Sequence, residues 1–417
     1  MTQLKDSKSS LRFIVIQMGA RMHYAIPAIL AQAGILEKFY TDICGNTGFP
    51  KVLDSFLPKS LYPKAVQRLL GRRLPTEIPS SSVTTCASTA IANGVIGKLN
   101  KNWFAFPLGI ETEERVKQKL LKDQFLNANA LYTNLVNSDI DLVKKAKDNG
   151  ILVVHEAILN PDVGYIMREE RERYPGIEKQ ESLESVEKGV RRDFEKWLLS
   201  DLILVPSNFV LERVVKLGGK AEKIDIVPYG IDANWFYHQP IPKKGKILFV
   251  GSVGLRKGNH YLAEATNILK KRGVKCEVRV VGPYNQETIQ QPEFQGPTYI
   301  GQVPRSEVIK EFLEADIFVM PTLSDSFALV HLEAMACGVP VITTPNCGSV
   351  VRDREEGFIV PIRDAPTLAD RMEQLLTDDN LRNQMSQKAR ERAKEFSWDK
   401  YLERLLEAFK SFENQLS

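Results

Sequence analysis

The sequence predicts an α/β protein built on doubly wound parallel sheets. Residues 12–18, Arg-Phe-Ile-Val-Ile-Gln-Met, are an apolar run of strand length that stops at Gly19, and residues 25–32 then have helical composition. Strand, glycine loop and helix in that order open a doubly wound domain, whose ligands bind where the strands end. Residues 246–251, Lys-Ile-Leu-Phe-Val-Gly, restart the same alternation after a linker, residues 238–245, that holds two prolines and two lysines. Residues 317–343 read as strand, loop, helix and strand, one parallel βαβ unit. There the first apolar run stops at Pro321, Gly338 takes the left-handed position past the helix, and Pro340 keeps the helix from continuing. At about 100–200 residues per domain, a chain of this length makes two domains, each with its own core.

Composition narrows the function classes. The 417 residues are 43% hydrophobic, with 56 basic against 52 acidic side chains and a formal charge of +4. That balance does not imply nucleic acid, and no nucleic-acid partner is expected. Cys44, Cys86, Cys276, Cys337 and Cys347 form no Cys-x-x-Cys pair, and the histidines are scattered, so no zinc site is expected. A sparse, odd set of cysteines suits a reducing compartment. No apolar run approaches the ~18 residues that cross a bilayer. Residues 11–18 carry Arg12 and Gln17 and read as a strand, not a signal segment. The expectation is a cytoplasmic protein.

One segment points toward a membrane surface. Residues 51–75 hold Lys51, Lys59, Lys64, Arg68, Arg72 and Arg73 against the single acid Asp54. Leu57, Leu61, Ala65 and Leu69 recur every four residues beside them. A basic amphipathic segment of this kind can lie peripherally on an anionic membrane, here the inner face. Pro58 and Pro63 interrupt it, and a charge run is more commonly a solvated face.

The chemistry gathers at the loop–helix junction of the 317–343 unit. Asp325 lies in the loop, and Glu333 lies about two turns into the helix, leaning back toward the loop. The amides of Ser326, Phe327 and Ala328 would be free at the helix start, where the dipole favours an anion. Two acids beside an anion-seeking helix end suit a ligand with both hydroxyls and phosphate, as a nucleotide sugar has. The stretch resembles the acid-x7-acid motif of the retaining glycosyltransferases of family 4, also called group 1. Their usual pattern is Glu-Gly-Phe-Gly-Leu-x-x-x-Glu-Ala-Met-Ala-x-Gly-x-Pro-Val. Phe327, Leu329, Glu333, Ala334, Met335, Ala336, Gly338, Pro340 and Val341 match it, whereas Asp325, Ser326 and Ala328 depart from it.

The resemblance implies the GT-B fold, two Rossmann-like doubly wound domains facing an inter-domain cleft. Residues 1–238 would be the acceptor-side domain and residues 239–395 the nucleotide-sugar domain, with residues 396–417 a helix crossing back to the first. The family pattern Gly-Arg-Leu-x-x-x-Lys-Gly falls on Gly251 to Gly258, with Lys257 on the lysine and Ser252 on the arginine. Arg256 would supply the missing cation, since a guanidinium grips phosphate in a bidentate way. By the same resemblance, Glu333 accepts from a ribose diol, and Lys257, Arg256 and the amides of residues 326–328 face the diphosphate. Asp325 and His155, the latter at the end of the strand Ile151-Leu152-Val153-Val154, would hold hydroxyls of the transferred sugar. Gly19 would face the acceptor, with Arg21 and His23 close by.

The implied activity is transfer of a sugar from a nucleoside-diphosphate sugar to a hydroxyl acceptor, with retention. The acceptor would be a glycan, a lipid-linked molecule or a small molecule. The alternatives are a GT-B nucleotide-sugar epimerase and a non-catalytic relative that binds nucleotide sugar. No cofactor and no metal are expected. Asp139-Ile140-Asp141 spells a metal-binding DxD but reads as the start of a surface helix, where acids are favoured. His331 lies about 200° around the helix from Glu333 and falls outside the site. Residues 165–200 read as a long surface helix, and His260 as a surface residue.

Overall fold

The computed structural model describes residues 10–48, 50–51, 71–90, 106–136 and 139–416. Residues 52–70, most of the basic stretch 51–75, lie outside the described residues. Among the described residues, no helix is long and apolar enough to cross a membrane.

Two sheets carry the chain. The first contains β1 (Phe13–Ile16), β2 (Leu36–Thr41), β3 (Val83–Thr85), β4 (Ala130–Thr133), β5 (Leu152–Glu156), β6 (Leu202–Val205) and β7 (Ile224–Ile226), in the order β3-β2-β1-β4-β5-β6-β7. The second contains β8 (Lys246–Val250), β9 (Glu277–Val281), β10 (Thr298–Gly301), β11 (Ile317–Val319), β12 (Val341–Thr343) and β13 (Gly357–Ile359), in the order β10-β9-β8-β11-β12-β13. The pairs β1–β2, β1–β4, β8–β9 and β8–β11 are parallel, as crossover helices demand. Strands covered on both faces read as continuous apolar runs, which is why β1, β4, β6 and β11 are buried throughout. Each sheet reverses its strand order once, between β1 and β4 and between β8 and β11. These reversals are where doubly wound folds bind ligands.

The chain divides into two compact units that are not contiguous in sequence. One comprises Met1–Glu156, Phe194–Leu204 and Ala408–Ser417; the other comprises Ala157–Asp193 and Val205–Glu407. Position 238 therefore falls inside the second unit, and the last helix, Trp398–Leu416, begins in the second and ends in the first.

The long surface helix expected over 165–200 is instead two helices, Val163–Arg173 and Leu183–Leu199. Pro175 and Gly176, the latter at φ 87°, break the helix between them. The first of these helices is not a solvated one. Glu170 is fully buried and accepts hydrogen bonds from His260 Nε2 at 2.8 Å, Tyr261 Oη at 2.7 Å and Arg363 Nε at 2.6 Å. Burial alone would raise the Glu170 carboxyl; the hydrogen bonds from His260, Tyr261 and Arg363 outweigh it and hold it below its ordinary range. His260, expected at the surface, is therefore a core residue, 2% exposed and edge-on to the Tyr174 ring at 4.5 Å. Removing one member of a buried charged network strands the rest. Glu170→Ala is expected to lower unfolding stability by about 3–5 kcal/mol, read from denaturant midpoints at constant slope.

Candidate active site

The loops leaving β8 and β11 meet at the switch point of the second sheet. The first ends in a tight turn, Leu255–Lys257, followed by Gly258 at φ 70°. A Cβ on Gly258 would stand 1.9 Å from the Pro321 carbonyl oxygen, so only glycine fits this approach. The two loops are then stitched together. Leu323 N donates to Arg256 O at 2.9 Å, Thr322 Oγ1 donates to the same oxygen at 3.0 Å, and Arg256 Nη1 donates to Ser324 O at 2.9 Å. The structure brings together two residues that the sequence singled out: the Lys257 ammonium is paired with the Asp325 carboxylate. Their side chains are 14% and 15% exposed, so the pair is screened weakly by solvent.

The segment from 324 to 328 is held in place from several sides. Asn160 Nδ2 donates to Ser324 Oγ at 2.8 Å, and Ser207 Oγ donates to Ser326 O at 2.8 Å. Asp325 N donates to Asn346 O at 3.0 Å, and Gly348 N donates to Asp325 O at 2.7 Å. A Cβ on Gly348 would lie 1.8 Å from Ser326 O, so this crossing too depends on glycine. The Phe327 ring meets Tyr229 edge-on at 5.1 Å.

The helix that follows is Leu329–Ala336, which changes two expectations. The Ala328 amide is not free: it donates to Gly348 O at 3.0 Å. Among the described residues, the amides of Ser326 and Phe327 donate to no protein acceptor. Glu333 is the fifth helical residue, just over one turn in rather than two. Its side chain is 16% exposed, with Arg305 Nη2 at 3.5 Å from Oε1. Burial pushes the Glu333 carboxyl up to about 7, and Arg305 opposes that rise. His331 turns the other way, into the core, with Nδ1 2.8 Å from Ser349 Oγ. Burial pushes its imidazole down to about 3, so it stays neutral.

The switch point of the first sheet carries Gly19, Asn134 and Glu156 at or just past the ends of β1, β4 and β5. Gly19 N donates to Asp42 Oδ1 at 3.0 Å, and Asp42 is paired with Arg72 at 2.5 Å. Asn134 Nδ2 donates to Glu156 Oε2 at 3.1 Å and to Gln17 Oε1 at 3.4 Å, and Arg21 Nε lies 3.7 Å from Glu156. Strand side chains alternate, so Glu156 enters this cluster and His155 faces away from it. His155 is 6% exposed, and burial, reinforced by the charge of Lys196, pushes it down to about 4. Asp139 does begin a helix, Ile140–Asp148, but it is not at the surface. It is fully buried, with Lys196 Nζ at 2.6 Å and Thr133 Oγ1 at 3.0 Å. Among the described residues, no cluster of His, Cys, Asp or Glu is arranged to hold a metal. Asn134, Glu156 and Ser207 were absent from the sequence-derived set, although the ends of strands were the place to look for them.

Residues 233–392 match the family model of glycosyl transferases group 1. The D-inositol 3-phosphate glycosyltransferase of Paenarthrobacter aurescens is 30% identical over 222 residues, covering 48% of this chain and 54% of that protein. The capsular polysaccharide biosynthesis glycosyltransferase CapM of Staphylococcus aureus is 29% identical over 201 residues, 45% of this chain and 53% of that protein. The chain spans about half the length of the curated relatives it matches. Among solved structures, HepE of Anabaena in complex with UDP and glucose matches with a TM-score of 0.62 at 13% identity, over 96% of this chain and all of that one. Sucrose-phosphate synthase of Thermosynechococcus elongatus matches with a TM-score of 0.63 at 16% identity, over 96% of this chain and 98% of that one. At such identities the likeness establishes the fold, which is the GT-B type of two Rossmann-like domains.

Proposed function

We infer, from the match of residues 233–392 to the family model of glycosyl transferases group 1, that the chain moves a sugar from a nucleoside-diphosphate sugar to a hydroxyl acceptor with retention of configuration. The observation that carries this reading is the composition of the second sheet's switch point. A cation, Lys257, an acid, Asp325, and two amides without protein acceptors lie on loops stitched together at one end of the sheet, and Glu333 follows one turn later. Such a site offers positive charge to a diphosphate and acceptors to hydroxyls.

Each residue then has one task. Glu333 accepts from the two ribose hydroxyls. Lys257 and the amides of Ser326 and Phe327 stabilise the diphosphate as it gains charge on leaving. Arg256 holds the Ser324 carbonyl and so fixes the loop on which Asp325 sits. Asp325 is released from Lys257 when phosphate takes the ammonium, and it then holds hydroxyls of the sugar. The Gly19 loop, with Asn134 and Glu156 beside it, serves the acceptor side, whereas His155 faces away from that cluster and takes no part. The bond from the anomeric carbon to the leaving phosphate oxygen breaks, the bond to the acceptor oxygen forms on the same face, and the phosphate oxygen takes the acceptor proton.

The solved relative HepE was crystallised with UDP, which makes a UDP-sugar the first donor to try. CapM works in capsular polysaccharide biosynthesis, and a glycan or lipid-linked acceptor at the inner membrane face, met through residues 51–75, fits that setting. The test is a thermal-shift screen of UDP-, GDP-, ADP- and dTDP-sugars, followed by product analysis with and without acceptor. A ligand at a hundred times its dissociation constant adds about 2.7 kcal/mol of stability. One donor is expected to stabilise the protein and to be consumed in step with acceptor glycosylation. A second reading, binding without catalysis, is favoured by the neutralisation of Lys257 by Asp325. Donor binding with neither transfer nor hydrolysis would establish it.

A further inference from the structure

Arg305 is the first residue of the helix Arg305–Leu313 and nothing in the family motif assigns it. Its side chain is 61% exposed, yet it is not loose. The guanidinium carbon lies 5.6 Å over the ring of Trp235, a residue 3% exposed on the turn Ala233–Tyr237, and Nη2 lies 3.5 Å from Glu333 Oε1. An aromatic floor and a carboxylate thus fix one end of a long side chain, which lowers the entropy cost of the pairing. We propose that Arg305 is a positioning residue for the donor nucleoside, holding the Glu333 carboxylate in place to accept both hydroxyls of a ribose. This rests on the reading of Glu333 as the ribose acceptor.

The physical need for such a residue follows from burial. A carboxylate accepts two hydroxyl protons at once; a carboxylic acid offers one donor and a weaker acceptor. Glu333 is buried enough that its carboxyl is pushed up to about 7, so near neutrality only part of it would be ionised. Among the described residues, few charged or titratable groups act on it. Arg305 acts on it directly, and the Cys337 thiol just past its helix is itself pushed up to about 12, by burial and then by Glu333. Arg390, on the helix Asp379–Lys394, acts on that thiol. Arg305 is the cation that favours the ionised form.

The experiment compares the full-length wild type with Arg305→Ala and Arg305→Lys, using UDP and its 2′-deoxy analogue as probes at pH 6, 7 and 9. Ionisation rises with pH through about 7, so wild-type preference for UDP over 2′-deoxy-UDP should grow from pH 6 to 9. In Arg305→Ala, UDP affinity should fall about three- to fivefold at pH 7, with the deoxy analogue affected less and the deficit shrinking at pH 9. Arg305→Lys should restore most of it. The Glu333 titration midpoint, followed without ligand by carbon-13 NMR of labelled glutamate carboxyls and assigned with Glu333→Gln, should rise in Arg305→Ala. An unmoved midpoint, or an equal loss for both nucleotides at every pH, overturns the proposal while leaving the donor reading intact. A wild-type protein that binds no nucleoside diphosphate overturns the donor reading itself, and this proposal with it; the NMR midpoint then still tells whether the Arg305–Glu333 linkage exists.

Discussion

Glu333→Ala lowers kcat/KM for the nucleotide-sugar donor by about a hundred- to ten-thousandfold, because two hydrogen bonds to a charged acceptor, ~1.5–3 kcal/mol each, are lost. The protein should stay folded. Alanine favours the helix interior, and the glutamate is itself a burden on the fold. Its carboxyl sits at about 7 in the folded protein against an ordinary 4.5, so the folded state holds its proton more tightly than the unfolded chain does. Its ionisation therefore costs the fold stability as pH rises from about 4.5 to 7, and the cost is constant above that. Alanine removes that cost, so the variant's melting temperature at pH 8 should equal or exceed the wild-type value. Full turnover in a folded variant would refute the ribose role, and a collapsed variant would refute the reading of the stability.

Lys257→Ala is the second large effect, and it separates catalysis from folding. The ammonium is the side-chain cation placed at the loop end to meet charge on the leaving diphosphate, and losing such a group costs about a hundred- to a thousandfold in kcat. It also strands the Asp325 carboxylate, whose side chain is only 15% exposed, so stability should fall as well. Adding Asp325→Asn to Lys257→Ala removes the stranded charge. The double variant should regain most of the lost stability and none of the lost turnover. A double-mutant cycle reads both, since the residues are in contact and their effects cannot be additive. Turnover returning along with stability would mean that Lys257 acts only by balancing Asp325.

What the sequence revealed, and what it hid, follows from how far apart the partners lie along the chain. The alternating apolar runs predicted both sheets, and the helix Ala25–Gln32 has the bounds expected for it. The places of Lys257 and Asp325 on loops at strand ends, and of Glu333 on the helix that follows, were legible because glycines and short spacings fix them. The Glu170 cluster was not. Its partners His260 and Arg363 are 90 and 193 residues away, and a helix reading Arg-Glu-Glu-Arg-Glu-Arg gives no hint that one glutamate faces the core. Lys196 hid Asp139 in the same way, through a pairing that only the folded strands bring about. The helix start was misplaced because Ala328 offers no capping side chain, and its amide is claimed instead by Gly348 after the next strand. The deviation at Ser252 made Arg256 the expected phosphate cation, and the structure puts its guanidinium on the Ser324 carbonyl of the neighbouring loop.

The central claim is that one nucleoside diphosphate engages Lys257 and Glu333 at the same time. A crystal structure of the protein with UDP measures this directly. The account requires Lys257 Nζ within hydrogen-bond distance of a phosphate oxygen, released from Asp325, with both ribose hydroxyls on the Glu333 carboxylate. UDP bound with its ribose away from Glu333, while Lys257 remains on Asp325, would contradict it.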